Sequence, residues 1–208
     1  DYKFKLYGNI YVQYEITDGL KFKTTLGGDY SHTKRDRWQG VKASRNGVAA
    51  TRLDLSNLKR LHIVSDNIFT YDKTRGKHEI NAVAGFSAEQ WDYEIEAATG
   101  IGYTSDLVRT LSAATTIAEA TSEEYQQRLM SYFGRVNYAY DNKYLLSVSA
   151  RRDGYSAFGP DSKYGFFPAA SAGWTISNED FLRDSKFFNF IKLRLSYGLT
   201  GNNAFDIG

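Results

Sequence analysis

The sequence contains no cysteine, only two prolines and no long apolar run. Without cysteine, a disulfide-linked scaffold and a thiolate metal site are excluded. A helix that crosses a bilayer needs about 20 predominantly apolar residues, and no such run occurs among these 208 residues. Membrane-spanning helices are therefore excluded. Membrane-spanning strands are not, because only every second residue of such a strand faces lipid.

Strong charge of one sign is also missing. The 26 basic and 24 acidic residues leave a net charge of +2, and the basic residues are dispersed, so no nucleic-acid footprint is indicated. His32, His62 and His78 lack the spacing of metal ligands. No phosphate-binding loop and no serine–histidine–acid arrangement is recognisable. The sequence therefore predicts no cofactor, no metal site and no enzymatic activity.

Aromatic residues and glycines are plentiful, with 16 Tyr, 13 Phe, 3 Trp and 18 Gly. Membrane β-barrels combine interfacial aromatics with strands in this balance. Apolar residues alternate with polar ones in Ile191–Asn202 and again in Phe4–Ile16. Because successive strand side chains point to opposite faces, each run has one apolar and one polar face. Asp18-Gly19 and Asp141-Asn142 each predict a tight hairpin turn.

The alternation predicts eight strands. They are about Phe4–Ile16, Leu20–Tyr30, Leu61–Tyr71, Ile80–Glu89, Leu129–Tyr140, Tyr144–Asp153, Tyr164–Ile176 and Ile191–Asn202. Pro168 predicts a bulge or a break in the seventh strand. Long loops are predicted at about 31–60 and 91–127, and short turns precede and follow each of them. Short periplasmic turns opposite long extracellular loops are typical of bacterial outer-membrane barrels.

We therefore predict an all-β fold, an antiparallel transmembrane β-barrel in the bacterial outer membrane, in contact with its lipid. Two alternatives stay open at this point. About eight strands can close into a small complete barrel that acts as an adhesin or structural anchor, in which case Phe4–Ile16 pairs with Ile191–Asn202. A soluble β-sandwich binding module alternates in the same way, and it would pack Leu6, Leu146 and Leu195 in one dry core.

A series of motifs in the last third of the chain resembles the SusC/RagA family of TonB-dependent outer-membrane transporters. The resemblance spans about Ser131–Asn203. Its elements follow one another in a fixed order: Tyr132-Phe133-Gly134-Arg135-Val136-Asn137-Tyr138, Arg151-Arg152-Asp153-Gly154, Gly165-Phe166-Phe167-Pro168, Gly173-Trp174, Ser196-Tyr197-Gly198 and Thr200-Gly201-Asn202.

The resemblance implies a barrel of about 22 strands, of which residues 1–208 form an arc of about eight. Nothing in the sequence resembles the plug domain or the TonB box of the family, so these parts and the remaining strands are expected to be absent from it. The resemblance further implies import of oligosaccharides or peptides, energy from TonB through the missing N-terminal region, and a SusD-like surface lipoprotein as partner.

Five charged residues on the polar parity of their strands are candidates for contact with the solute or the plug. They are Arg135, Arg151, Asp153, Lys192 and Arg194. Intramembrane ionisable groups are often functional, although a single one of them can simply be hydrated or paired. Arg151 and Asp153 lie two residues apart and are expected to pair.

On the opposite parity, Arg152 is expected at the membrane rim, with its charge directed out of the hydrocarbon. Leu193→Arg on this lipid parity is expected to cost about 2–4 kcal/mol near the bilayer midplane, and a polar substitution at Ser196 almost nothing. The outward aromatics predict an interfacial girdle of Tyr132, Tyr138, Tyr140, Tyr144 and Trp174. The predicted loops carry three aromatics, which either stack on sugars or pack within their own loop; these are Trp38, Trp91 and Tyr103.

Overall fold

The computed structural model describes residues 1–43, 47–156, 164–182 and 187–201. Within them the chain forms eight strands: β1 Tyr2–Thr17, β2 Leu20–Gln39, β3 Arg52–Arg75, β4 His78–Ile101, β5 Thr116–Tyr140, β6 Tyr144–Tyr155, β7 Tyr164–Thr175 and β8 Lys192–Gly198. Short 3₁₀ turns lie at Val41–Ala43, Gly47–Ala50, Leu111–Ala113 and Ile176–Asn178. In the described ranges, no helix is long and apolar enough to cross a membrane.

All eight strands belong to one sheet, in which each strand is hydrogen-bonded to its neighbours in the chain. The order runs from β1 to β8, so these two strands stand at opposite ends of the sheet. The alternative of a small complete barrel, which required β1 to pair with β8, is therefore wrong. The eight strands leave two free sheet edges, as expected for part of a larger barrel.

A dry hydrophobic core is missing from the described part of the chain. Its buried hydrophobic residues are only Leu53, Tyr103 and Leu129. The three leucines that a sandwich would bury remain 62% exposed at Leu6, 50% at Leu146 and 70% at Leu195. The soluble sandwich is therefore also wrong, because it would have to bury one face of each sheet.

The tight turns are confirmed. Gly19 has a φ of +81°, and Asp141 and Asn142 have φ values of +52° and +53°. The left-handed region is accessible to Gly at no steric cost and is tolerated by Asn and Asp, which explains these residues at the turns. The turn between the third and fourth strands, predicted at Lys73–Lys77, is shorter than expected, since β3 continues to Arg75 and only Gly76 and Lys77 connect it to β4.

The two predicted long loops are wrong in their bounds, because most of their residues lie in strands. The connections comprise only residues 40–51 and 102–115. Alternation fails as a signal here because the ends of β2 and β5 are polar on both faces. In β4 the apolar residues change parity, from Ile80 and Phe86 to Trp91, Tyr93 and Ile95. Cross-strand hydrogen bonds hold them together instead: Asn57 donates to Glu96 at 2.9 Å, and Lys59 donates to Glu94 at 2.7 Å.

The bulge or break predicted at Pro168 is wrong. The register of β6 and β7 runs without interruption through the pair of Ala150 and Pro168. The carbonyl of Pro168 accepts the backbone N–H of Leu199 at 2.9 Å, so the backbone polar atoms of Pro168 face the β8 side. The missing N–H therefore falls just beyond the end of β8 and does not affect the pairing with β6.

The chain divides into two compact units. The first comprises Asp1–Asn9, Gly27–Ile63 and Gln90–Gln127, and it contains the two long connections. There the hydroxyl of the fully buried Thr51 donates to the Val48 carbonyl at 2.7 Å and accepts the Tyr103 N–H at 2.6 Å. The second comprises Ile10–Leu26, Val64–Glu89 and Arg128–Gly208, and it contains the short turns and β6 to β8.

Candidate functional site

The register of β5 to β8 separates apolar from polar residues onto two faces. Directly paired residues share a face, and the apolar rows align across all four strands. The apolar face consists of Val136, Tyr138, Leu146, Val148, Ala170, Ala172, Leu195 and Tyr197. The opposite face, the polar face, carries the polar residues, and with them Phe133, Ala139, Leu145 and Phe167; its polar residues are Arg135, Asn137, Ser147, Ser149, Ser171, Arg194 and Ser196. An impermeable wall between lipid and water needs this separation.

All five predicted charged residues lie on the polar face, as the register shows. Arg151 and Asp153 form the expected ion pair, with 2.7 Å between Arg151 Nε and Asp153 Oδ1. Arg151 Nη2 also donates to the buried hydroxyl of Ser131 at 2.9 Å, and its guanidinium lies 5.8 Å from the ring centroid of Phe133. This pair is held from several sides and is neutral as a unit.

The other three cations line two adjoining cavities on the polar face. A cavity of about 330 Å³ is lined by Lys192 and Arg194 together with Glu79, Asn81 and Asn137. A cavity of about 540 Å³ is lined by Arg135 and Arg194 together with serines. Within the described ranges, Arg135, Lys192 and Arg194 form no ion pair. These cavities therefore carry three cations without a direct ion pair to a described residue, among small polar side chains and the carboxylate of Glu79.

The three loop aromatics are placed differently from expectation. Trp38 belongs to β2 and Trp91 to β4, so neither lies in a loop. Tyr103 does lie in a connection, but it is only 1% exposed and packs edge-on against Trp38, with 4.7 Å between ring centroids. A buried ring leaves no face for a sugar, so Tyr103 packs inside the protein against Trp38 of β2.

A charged cluster that the sequence analysis missed surrounds Trp91. Its ring stacks on His62 with 4.7 Å between centroids and 1° between planes. Asp29 contacts His62 Nδ1 at 3.1 Å and accepts from Arg60 Nη2 at 3.1 Å. Arg60 and His62 share one strand parity, which was visible in the sequence, but the carboxylate that joins them, Asp29, lies 31 and 33 residues away along the chain.

At the end of the sheet with the short turns, Glu179 links the last long connection to the strands. Its carboxylate accepts from Tyr144 Oη at 2.7 Å, Trp174 Nε1 at 3.0 Å and Lys143 Nζ at 3.1 Å. These three hydrogen bonds lower the pKa of Glu179 below its ordinary value. Hydrogen bonding to Glu179 in turn raises the pKa of Lys143. The connection is thus anchored electrostatically beside the turn at Asp141.

The five predicted girdle aromatics all lie on the apolar face: Tyr140, Tyr144 and Trp174 share one row, Tyr138 pairs with Leu146 in the next row inward, and Tyr132 lies further along β5. Tyr140 pairs with Tyr144, which pairs with Trp174, in one row beside the short turn. Tyr132 lies towards the other end of β5 and contacts Phe86, with 4.9 Å between centroids. Rows of aromatics at two heights on a lipid-facing surface are what a girdle requires.

No group of three or more His, Asp or Glu residues in the described ranges has the geometry to hold a metal ion. The polar face carries cations and hydrogen-bonding groups, the ordinary means of recognition in an aqueous channel.

No family model matches the chain. The curated proteins that it resembles are named TonB-dependent receptors. TonB-dependent receptor P39 of Formosa agariphila is 35% identical over 201 residues, which cover 92% of this chain and 19% of that protein. TonB-dependent receptor SusC of Bacteroides thetaiotaomicron is 30% identical over 197 residues, which cover 93% of this chain and 19% of that protein. The chain thus spans about a fifth of the length of these curated relatives.

The fold agrees with solved structures. The structure of the RagAB peptide transporter superposes with a TM-score of 0.84 at 22% identity, over 96% of this chain and 23% of that chain. The same importer in its open-open state superposes with a TM-score of 0.87, over 96% of this chain and 22% of that chain. The relatives are named as receptors and transporters rather than enzymes, in agreement with the expectation of no enzymatic activity.

Proposed function

Since this chain is part of the outer-membrane barrel wall of a SusC/RagA-like TonB-dependent receptor, we propose that the whole protein imports oligosaccharides or peptides. A plug domain closes the barrel, TonB supplies energy through the N-terminal region, and a SusD-like lipoprotein covers the extracellular opening. In this proposal residues 1–208 are one arc of the wall, without the plug domain, the TonB box and the other strands.

The observation that carries the proposal is the alignment of one apolar and one polar face across four strands. The apolar face faces lipid. The polar face lines the interior, where Arg135, Lys192 and Arg194 contact the plug or the solute. Their positive charge favours carboxylates on whichever group occupies the two cavities. Arg151 and Asp153, already paired, hold the wall in register beside them.

Trp91 supports a weaker second contact with the solute. One face of its indole is occupied by His62, and the neighbouring Arg60 and Asp29 offer donors and acceptors. A polar cluster beside an aromatic ring can bind either a sugar or a peptide. It therefore supports import but does not distinguish between these two substrate classes. Trp38, which already contacts Tyr103 and Arg109, is less suited to such a contact.

Conductance of the full-length protein in planar bilayers tests the proposal. The intact protein should be sealed, and deletion of the plug should open a large pore. A plug-deleted protein that remains sealed would contradict the proposed mechanism. In the open pore, combined Arg135→Gln, Lys192→Gln and Arg194→Gln should shift the reversal potential towards cation preference, because positive charge is removed from the interior. Arg152→Gln, on the apolar face, is the matched control and should leave the reversal potential unchanged.

A further inference from the structure

Arg152 is a charged residue on the otherwise apolar face. In the register it lies between two aromatics, with Tyr132 opposite on β5 and Phe166 opposite on β7. Its guanidinium lies 4.6 Å from the centroid of the Tyr164 ring. Gly154 permits this arrangement, since a Cβ there would come within 2.6 Å of the Tyr164 ring. The ring therefore lies across β6, and the arginine lies against it.

The height of Arg152 places it near one boundary of the hydrocarbon. It is eight residues along β6 from Tyr144, which belongs to the aromatic row beside the short turn. Eight residues at about 3.3 Å each, on a strand tilted by about 40°, rise about 20 Å. The apolar band of such barrels is about 25 Å tall. Arg152 therefore lies just below the opposite boundary, and its long side chain brings the charge into the headgroup region.

Within the described residues, no carboxylate neutralises this charge. Arg152 forms no ion pair with any residue that the structure describes, whereas Arg151, the next residue, is paired with Asp153 on the polar face. A second arginine follows on the apolar face, because Arg128 shares the parity of Met130 and Tyr132. The backbone of Arg128 is paired with Ser156 through its N–H to Ser156 Oγ at 2.7 Å and its carbonyl to Ser156 N–H at 2.9 Å.

We propose that Arg152 binds the phosphate of an anionic glycolipid in the outer leaflet. Arginine is well suited to phosphate, since its planar guanidinium donates two parallel hydrogen bonds. The exposed rings of Tyr132, Tyr164 and Phe166, which are 53%, 63% and 62% exposed, contact the lipid beneath the headgroup. Arg152 lies at the end of β6 away from the tight turn at Asp141-Asn142, and tight turns are periplasmic in such barrels, so this end is extracellular.

Native mass spectrometry of the full-length protein tests the proposal. The protein is released from phosphatidylcholine nanodiscs that contain either diphosphoryl lipid A or dephosphorylated lipid A, and bound lipid is counted. Wild-type protein should retain the diphosphoryl form. Arg152→Gln should reduce that retention about tenfold, as expected for loss of a charge-assisted phosphate contact. Arg152→Lys, which keeps the charge, should reduce it less.

Arg135→Gln, an arginine substitution on the polar face of the same sheet, should retain lipid A as wild type does. Equal retention by Arg152→Gln and wild type would overturn the proposal, and so would equal retention of the dephosphorylated lipid by wild type. Displacement of lipid A by inorganic phosphate would show a free-phosphate site and would overturn the lipid assignment. A shift on SDS gels between heated and unheated samples confirms that each variant is folded. The result does not depend on transport, so it stands apart from the import proposal.

Discussion

Val148→Arg tests directly which face of the sheet contacts lipid. Val148 pairs with Val136 on β5 and with Ala170 on β7, so an arginine there is surrounded by apolar side chains. Four residues separate it from Tyr144 in the lower aromatic row, a rise of about 10 Å on a tilted strand. In a band about 25 Å tall, that position is close to the midplane.

The register also shows which arginine substitution on the apolar face should cost the most stability. Leu193, which the sequence analysis places near the midplane, lies directly opposite Trp174 in the lower aromatic row. Arginine on the lipid face costs about 2–4 kcal/mol at the midplane and about 0–1 kcal/mol near an interface. We therefore expect Val148→Arg to cost about 2–4 kcal/mol and Leu193→Arg about 0–1 kcal/mol. Ser149→Arg, on the polar face one residue away, should cost almost nothing.

The measurement is the free energy of unfolding of the full-length protein in lipid vesicles, from guanidinium titrations with the heat-dependent gel shift as the readout. Two results would refute the reasoning. If Val148→Arg and Ser149→Arg cost the same, the two faces do not separate lipid from water. If Leu193→Arg costs more than Val148→Arg, the aromatic row beside the short turn does not mark the interface.

Two further substitutions test single contacts. Glu179→Gln should abolish a pH dependence of the stability. The pKa of Glu179 is lowered in the folded protein, so its ionised carboxylate stabilises the fold at pH values above its ordinary pKa of 4.5. This contribution is lost as the pH falls through the lowered pKa. Thermal unfolding between neutral and acidic pH should show the loss in wild type only, and a matching loss in the variant would contradict the assignment. Thr51→Val should cost about 1–3 kcal/mol, because it leaves the Tyr103 N–H unsatisfied, whereas Thr51→Ser keeps the hydroxyl. Hydrogen exchange at Tyr103 measures this effect, and equal exchange rates in the two variants would argue against it.

Residues whose apolar alternation keeps one parity were predictable, and the polar or parity-shifted strand ends were not. Phe4–Ile16 and the strands from Leu129 onward were recognised because one face of each is apolar over nearly its whole length, with Arg152 as a charged exception on β6. The extensions of β2 to β5 were missed because their stability comes from cross-strand pairs such as Lys59 with Glu94. Such pairs join residues far apart in the chain, and no local pattern reveals them. Pro168 was misjudged for a related reason, since its effect depends on where the neighbouring strand ends.

Some features of the candidate site were likewise predictable from the sequence, and others were not. The parity of Arg135, Arg151, Asp153, Lys192 and Arg194 follows from the sequence, because alternate strand residues must face opposite sides. Parity alone did not distinguish the neutralised pair of Arg151 and Asp153 from the three cations that line the cavities. It also did not reveal that Trp91 stacks on His62 beside Asp29. These relations depend on register, which aligns one strand against the next.

The sequence by itself determined that this chain forms strands with two unlike faces, joined by tight turns, because side-chain direction along a strand and the backbone freedom of turn residues are local properties. Only the tertiary structure decided that β1 and β8 stay apart, how long each strand is, and which charges are neutralised. Those outcomes depend on contacts between distant segments, whose free energies are settled only when the strands lie side by side.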